Sequence, residues 1–247
     1  MKVTAIVLSA GKGTRVGSDI PKQYIEVAGK PVLAYCLESF ERSEVDDIVI
    51  VTSAGNEDYV KEQIVDRFGF SKVSAVVAGG SERYYSVLNG LRHIAEASEA
   101  AVDSCGYVLI HDGARPYITE SGVNKMISAV KLCKAAVAAQ PARDTIKITD
   151  RDGYVVQTTE RANTWQVQTP QCFEFGQILK AYEMIVGDRD SRSGESGRGK
   201  ITDDAMVYES EFPDRRVKLI DLNEENSKIT TAADLKYMAW KFGEQYC

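Results

Sequence analysis

The five cysteines, Cys36, Cys105, Cys133, Cys172 and Cys247, form no C-x-x-C pair, and their number is odd. That pattern supports neither a disulfide framework nor a zinc cluster and points to a reducing compartment. An excess of positive charge is also missing: 30 Lys and Arg stand against 36 Asp and Glu, a formal net charge of -6. Such a chain lacks the basic footprint of a nucleic-acid-binding surface, so DNA and RNA are excluded as partners. Long apolar runs are absent too. Val3 to Ala10, eight mostly apolar residues, is interrupted at once by Gly11, Lys12, Gly13 and Arg15. The roughly 20 apolar residues of a bilayer-spanning helix occur nowhere, which excludes a membrane partner. With a mean hydropathy of -0.24, the expectation is a soluble, cytoplasmic protein.

What is present is enough apolar residue, 44% of 247 positions, for one sizeable core, so a single domain over 1–247 is expected. Apolar, β-branched runs recur at Val3 to Leu8, Ile48 to Thr52, Val73 to Val77, Tyr107 to Ile110 and Ala135 to Ala139. Helix-length segments separate them or follow, at Pro31 to Glu41, Glu57 to Arg67, Tyr85 to Glu96, Glu120 to Lys134 and Ala232 to Glu244. Thr231 and Asp234 form a capping box for the last. Alternation of this kind predicts an α/β fold, a three-layer α/β/α sandwich around a Rossmann-like, mostly parallel sheet. Ligands then bind beyond the carboxyl ends of the strands.

The pattern breaks over 144–168, where Thr145 to Thr149 and Tyr154 to Thr159 alternate by twos around Arg151-Asp152-Gly153. This reads as a β-hairpin, either an arm protruding towards a second subunit or an edge hairpin on the same sheet. Residues 187–200 (GDRDSRSGESGRGK) hold only Gly, Ser and charged side chains. They predict a flexible loop, either a plain insertion or a lid.

The chemistry-bearing segments follow the predicted strands. After the first comes Ala10-Gly11-Lys12-Gly13-Thr14-Arg15, then Pro21-Lys22-Gln23. Val16 stands where a dinucleotide fingerprint needs its third small residue, and no G-K-[ST] closes a Walker A loop. A glycine turn flanked by Lys12, Arg15 and Lys22 remains, which is either a tight βα connection or a triphosphate cradle. Gly79-Gly80 with Arg83 and Ser86 follows the third run. His111-Asp112-Gly113-Ala114-Arg115 follows the fourth and offers a carboxylate for Mg²⁺ or a ribose hydroxyl and a guanidinium for a phosphate, or else a structural ion pair. Asp144-Thr145-Ile146-Lys147 and Gln168-Thr169-Pro170-Gln171 frame the hairpin. Thr202-Asp203-Asp204 and Lys228-Ile229-Thr230 come late.

In order and spacing, these segments resemble the motif series of the 2-C-methyl-D-erythritol 4-phosphate cytidylyltransferases of the non-mevalonate isoprenoid pathway, over nearly the whole chain. The resemblance implies a fold of the nucleotide-diphospho-sugar transferase type and transfer of a cytidylyl group from CTP to methylerythritol phosphate, with Mg²⁺ and release of pyrophosphate. A phosphate monoester has its second pKa near 6, so the acceptor is already a dianion and needs no general base. Two His and no evident Ser or Cys nucleophile agree with that. By resemblance, Arg15, Lys22, Arg161 and Lys228 are the catalytic residues. Ala10, Gly11, Lys12 and Gly13 cradle the triphosphate, and Gly79, Gly80, Arg83 and Ser86 recognise cytosine and ribose. Asp112 lies between the two substrates and offers Mg²⁺ a contact, although the ion rides mainly on the triphosphate. Gly113, Arg115, Thr145 and Thr202 hold the acceptor. The family is homodimeric, and Arg161 arrives from the partner subunit's arm.

Two departures stand out. Asn226-Ser227-Lys228 replaces the family's Asn-Ile-Lys, which implies looser packing where the Ile is lost, and the 187–200 stretch is longer than in the family. The nearest rival is a polyol-phosphate enzyme using ribitol 5-phosphate. Ser86-Val87, Gly113-Ala114 and Thr164 to Gln168 look more like the methylerythritol branch. A non-catalytic CTP sensor and a nicotinamide dehydrogenase are more distant alternatives.

Overall fold

The computed structural model describes residues 1–11, 20–98, 106–191 and 201–243. The first strand, β1 (Val3–Ser9), leads through the short pair β2 (Glu26–Val27) and β3 (Lys30–Pro31) into α1 (Val32–Arg42). Next come β4 (Asp47–Thr52), α2 (Glu57–Val60) continued by a π-helical stretch Lys61–Asp66, β5 (Val73–Ala78) and α3 (Arg83–Ala97). Then follow β6 (Tyr107–Asp112), α4 (Glu120–Cys133), β7 (Ala135–Pro141) and a hairpin of β8 (Lys147–Thr149) and β9 (Val155–Thr158). The chain closes with β10 (Trp165–Glu174), α5 (Phe175–Ser191), α6 (Asp204–Glu211), β11 (Lys218–Ile220) and α7 (Ala232–Gly243).

Seven strands form the central sheet in the order β11-β7-β10-β6-β1-β4-β5. All ladders are parallel except those of β10, which runs antiparallel to both β6 and β7. Strand side chains alternate between faces. Ala5 and Val7 of β1 join Leu33, Leu37 and Phe40 of α1 and Met126 of α4 in one apolar cluster. Ile6 and Leu8 join Leu88 and Leu91 of α3, Ile178 and Tyr182 of α5 and Tyr208 of α6 in the other. Both faces are covered, which is why β1 and β4 read as continuous apolar runs. The three-layer α/β/α sandwich and the mostly parallel sheet are as expected.

Strand order reverses direction at β1: β4 and β5 lie on one side of it and β6 on the other. A ligand crevice forms at such a switch point, beyond the carboxyl ends. Register sets those ends side by side, with Ser9 opposite Thr52, Thr52 opposite Ala78, and Leu8 opposite Asp112.

The hairpin forms as predicted. Its turn is held by the Asp150 carboxylate, which accepts from the backbone N–H groups of Asp152 and Tyr154, and Gly153 has φ +86°. The pair is a separate sheet whose residues are all exposed. The capping box is present in full, with the Thr231 N–H donating to the Asp234 carboxylate and the Asp234 N–H donating to the Thr231 hydroxyl.

Two expectations are corrected. The loop over 187–200 begins later, because 187–191 continue α5, while 192–200 lie outside the described residues. Once Tyr182, Ile185 and Val186 anchor the helix in the core, each added residue contributes one backbone hydrogen bond, so even a polar segment can extend it. Ser227 loosens nothing: position 227 is exposed, and its hydroxyl donates to Glu225.

Candidate active site

A cavity of about 770 Å³ opens beyond the carboxyl ends of β1, β4, β5 and β6. Ala10 and Gly11 line it after β1, Ser53 and Ala54 after β4, Gly79 and Gly80 after β5, and Asp112 and Ala114 from β6 onwards. Side chains fix these loops to one another. The amide nitrogen of Gln23 donates to the carbonyls of Ser9 (2.8 Å) and Gly11 (2.9 Å), and the Ser53 hydroxyl donates to that of Ala10 (3.0 Å). Beneath them the Tyr24 hydroxyl meets those of Ser9 and Thr52.

The glycine pair is required by close approach. A Cβ on Gly79 would lie 2.7 Å from the Ser86 hydroxyl and 2.8 Å from the Ala10 methyl, and one on Gly80 would lie 2.3 Å from the Cβ of Tyr85. The Gly79 N–H donates to the Thr52 carbonyl (2.6 Å) and the Gly80 N–H to the Ser86 hydroxyl (3.1 Å). That hydroxyl donates onward to the Glu82 carbonyl.

Asp112 is the charge centre of the opposite wall. Its Oδ1 accepts from Arg83 Nε at 3.3 Å and its Oδ2 from Lys228 Nζ at 2.7 Å, with Arg115 Nε 3.8 Å from Oδ2. Burial alone would raise the pKa of this carboxyl, but Arg83, Lys228 and Arg115 together hold it far below the usual carboxylate range. Arg83 makes a bidentate pair with fully buried Asp204 (2.7 and 2.8 Å), to which the Tyr182 hydroxyl also donates (2.5 Å). Burial works against this guanidinium, yet Asp204 and Asp112 raise its pKa well above the ordinary arginine value. Each of its three nitrogens already donates to a carboxylate.

Behind this wall lies His111, fully buried and beside Phe40. Because the Arg115 carbonyl can only accept, Nδ1 of the neutral ring is the acceptor nitrogen, and the Thr169 hydroxyl, which takes the Asp112 N–H (3.0 Å), donates to it (3.1 Å). Nε2 then carries the ring proton and faces the Arg115 carbonyl at 3.3 Å. Burial, reinforced by Arg115, lowers the pKa of His111 to about 4, despite the opposing pull of Asp112. It is neutral at pH 7.

Among the residues expected at the site, Ala10, Gly11, Lys22, Gly79, Gly80, Arg83, Ser86, Asp112 and Lys228 all line the cavity. Lys22 is buried, and its Nζ donates to the Ile229 carbonyl at 2.7 Å. Gly113 adjoins it, packed so closely that a Cβ would lie 2.6 Å from Leu33 Cδ1, and Arg115 is held by the Asn226 carbonyl at 2.8 Å. Thr202 is exposed ahead of α6, its hydroxyl on the Met206 sulfur. Thr145 and Arg161 do not reach the cavity of their own chain; they bond each other on the hairpin (3.0 Å). Lys12, Gly13 and Arg15 lie outside the described residues. Sequence reasoning overlooked Ser53 and Ala54, although their place directly after a parallel strand was a usable signal, and it gave Gln23, Gln171, Tyr182 and Asp204 no individual role.

For a metal, the described residues offer no group of three His, Cys, Asp or Glu side chains. Asp112 is the strand-end carboxylate of the cavity, and both its oxygens are engaged by cations. This donor set does not fit a protein-held ion.

A family model described as 2-C-methyl-D-erythritol 4-phosphate cytidylyltransferase matches residues 3–240. The chain belongs to this family. It is therefore a nucleotidyltransferase. A relative of the same name from Lachnoclostridium phytofermentans is 42% identical over 236 residues, covering 95% of this chain and 93% of its own. Another, from Geobacter metallireducens, is 42% identical with 95% of each chain covered. The crystal structure of 4-diphosphocytidyl-2C-methyl-D-erythritol synthase from Anaerococcus prevotii superposes with a TM-score of 0.80 at 31% identity, covering 98% of this chain and 96% of that one. No helix among the described residues is long and apolar enough to cross a membrane.

Proposed function

We propose that the protein transfers the cytidylyl group of CTP to the phosphate of 2-C-methyl-D-erythritol 4-phosphate, giving 4-diphosphocytidyl-2-C-methyl-D-erythritol and pyrophosphate. The observation that carries this is the meeting, in one strand-end cavity, of two glycine loops with Lys22, Lys228 and an Asp112 ringed by cations. An acceptor phosphate with a second pKa of about 6 attacks as a dianion. Catalysis then consists of alignment in line with the α-phosphorus and neutralisation of charge on the α-phosphate and departing pyrophosphate. Lys22 and Arg15 supply that neutralisation. Gly79, Gly80 and Ser86 bind the nucleoside, with Arg83 setting their wall. The triphosphate is assigned to Ala10, Gly11, Lys12 and Gly13, and the acceptor to Lys228, Gly113, Arg115 and Thr202. Mg²⁺ enters as part of the substrate CTP·Mg²⁺, since the charge of Asp112 is already paired with Arg83 and Lys228.

The chain works as one domain with 144–168 as its arm, in a cytoplasmic homodimer. Tyr154, Val155 and Val156 on the hairpin are 74%, 60% and 68% exposed. A lone two-stranded ribbon with such a patch is an interface in search of a partner. A second subunit would also bring Thr145 and Arg161, which are adjacent on the arm, to the acceptor.

The test is pyrophosphate release from CTP and Mg²⁺ with and without the acceptor. Release that requires both substrates is expected. Tight CTP binding with no release would make the protein a nucleotide sensor instead.

A further inference from the structure

Three cations of the site, Lys22, Arg115 and Lys228, come from distant parts of the chain, yet each belongs to or is held by one short segment, residues 226–229. Lys228 is its third residue and donates to Asp112 at 2.7 Å. The Ile229 carbonyl accepts from Lys22 Nζ at 2.7 Å, and the Asn226 carbonyl accepts from Arg115 Nη1 at 2.8 Å. The Ile229 N–H donates to the Ala114 carbonyl at 2.8 Å, clipping the segment to the loop after β6.

The segment is not part of a helix or strand, so its own backbone does not fix it. At its far end Ile229 is buried and clipped to Ala114; its near end is anchored by the side chain of Asn226, which is 0% exposed. The Nδ2 group donates to the Thr169 carbonyl at 2.6 Å and to Gln168 Oε1 at 3.2 Å, both on β10. Thr169 in turn takes the Asp112 N–H. One buried amide thus ties the cation-bearing segment to the strand that also sets Asp112.

We infer that Asn226 is a positioning residue of the transfer reaction. It touches neither substrate, and it acts by fixing the carbonyls and the lysine that set Lys22, Arg115 and Lys228 around Asp112. This rests on the reading of the site as a cytidylyltransferase centre. Nucleoside binding lies on the far wall, at Gly79, Gly80 and Ser86, and is not held by Asn226. Loss of the amide should therefore separate catalysis from nucleotide affinity, whereas a purely structural role would weaken both.

The experiment compares wild type with Asn226→Ala, using steady-state pyrophosphate release and calorimetric titration with CTP·Mg²⁺. A fall of about tenfold or more in kcat with a raised KM for 2-C-methyl-D-erythritol 4-phosphate is expected, on the scale of leaving buried polar groups without their hydrogen-bond partner. The CTP dissociation constant should stay within about threefold, well under the tenfold that 1.4 kcal/mol represents. Wild-type kcat and KM, or a loss of CTP affinity that matches the loss of turnover, would overturn the inference. If Asn226→Ala does not fold, Gln168→Ala removes only the longer of the two contacts. It should shift kcat the same way by a smaller factor, and an unchanged kcat would overturn the inference. Wild-type protein that releases no pyrophosphate defeats the underlying reading; an active wild type beside an unaltered Asn226→Ala defeats this inference alone.

Discussion

At the scale of single residues, burial and charge compete, and the site turns on which one wins. For Asp112 the cations prevail, so the carboxyl stays ionised and its native-state stabilisation is present above the ordinary carboxylate range and lost only in strong acid. For His111 burial prevails, and the ring stays neutral with a pKa near 4 against an ordinary 6.5. The unfolded chain binds the extra proton between those values, so stability rises with pH across that window and falls as pH drops through it. At about 1.4 kcal/mol per pH unit, acidification from 6.5 to 4 should remove roughly 3 kcal/mol. Urea unfolding of wild type and His111→Gln should show that slope in the first and a flatter one in the second; parallel slopes would remove His111 from the account. Asp112 and Lys22 were legible in the sequence because each sits in a short motif of reactive residue types, whereas Lys228 was legible only through the family resemblance. Asn226 and Asp204 were quoted there within motifs but given no role, because their work is to hold other groups, and only distance reveals that.

Among elements, β1, β4, β5 and β6 were legible because burial on both faces makes a parallel strand continuously apolar. The strand β10 was not, since Pro170 in its interior argues against a central strand. The sheet accommodates it where the register with β7 shifts between Val167 and Gln171. Helix α6 was hidden for a different reason. Its first turn follows a run of polar residues, and its N-cap, Asp203, which accepts the Met206 N–H (3.0 Å), is itself steadied from a distant strand: Gln171 bonds both Asp203 (3.1 Å) and the Ala205 N–H (2.8 Å). The turn after β5 gives the sharpest test at this scale. Gly79→Ala places a methyl 2.7 Å from the Ser86 hydroxyl, and relieving such an overlap costs about 1–3 kcal/mol. A rise of about 5- to 150-fold in the CTP dissociation constant is expected by calorimetry, with helix content unchanged in circular dichroism. Unaltered affinity would place the nucleoside elsewhere.

Over the whole molecule, the net charge of -6 and the cationic cavity are compatible because they describe different places. Lys22, Arg83, Arg115 and Lys228 converge at the carboxyl ends of the strands, so a small polyanion is attracted locally while a long one meets an acidic exterior. The arm extends the argument to two chains. If the proposed homodimer shares its sites, Lys22→Ala and Arg161→Ala should each be inactive alone, and a refolded equimolar mixture should recover about a quarter of wild-type turnover, as random pairing leaves one intact site in each mixed dimer. No recovery would mean that Arg161 serves its own chain. Acceptor identity is the central claim, and one competition tests it. Equimolar 2-C-methyl-D-erythritol 4-phosphate and ribitol 5-phosphate are offered with limiting CTP and Mg²⁺, and the products are weighed by mass spectrometry. The account predicts that 4-diphosphocytidyl-2-C-methyl-D-erythritol dominates; a predominance of the ribitol product would contradict it.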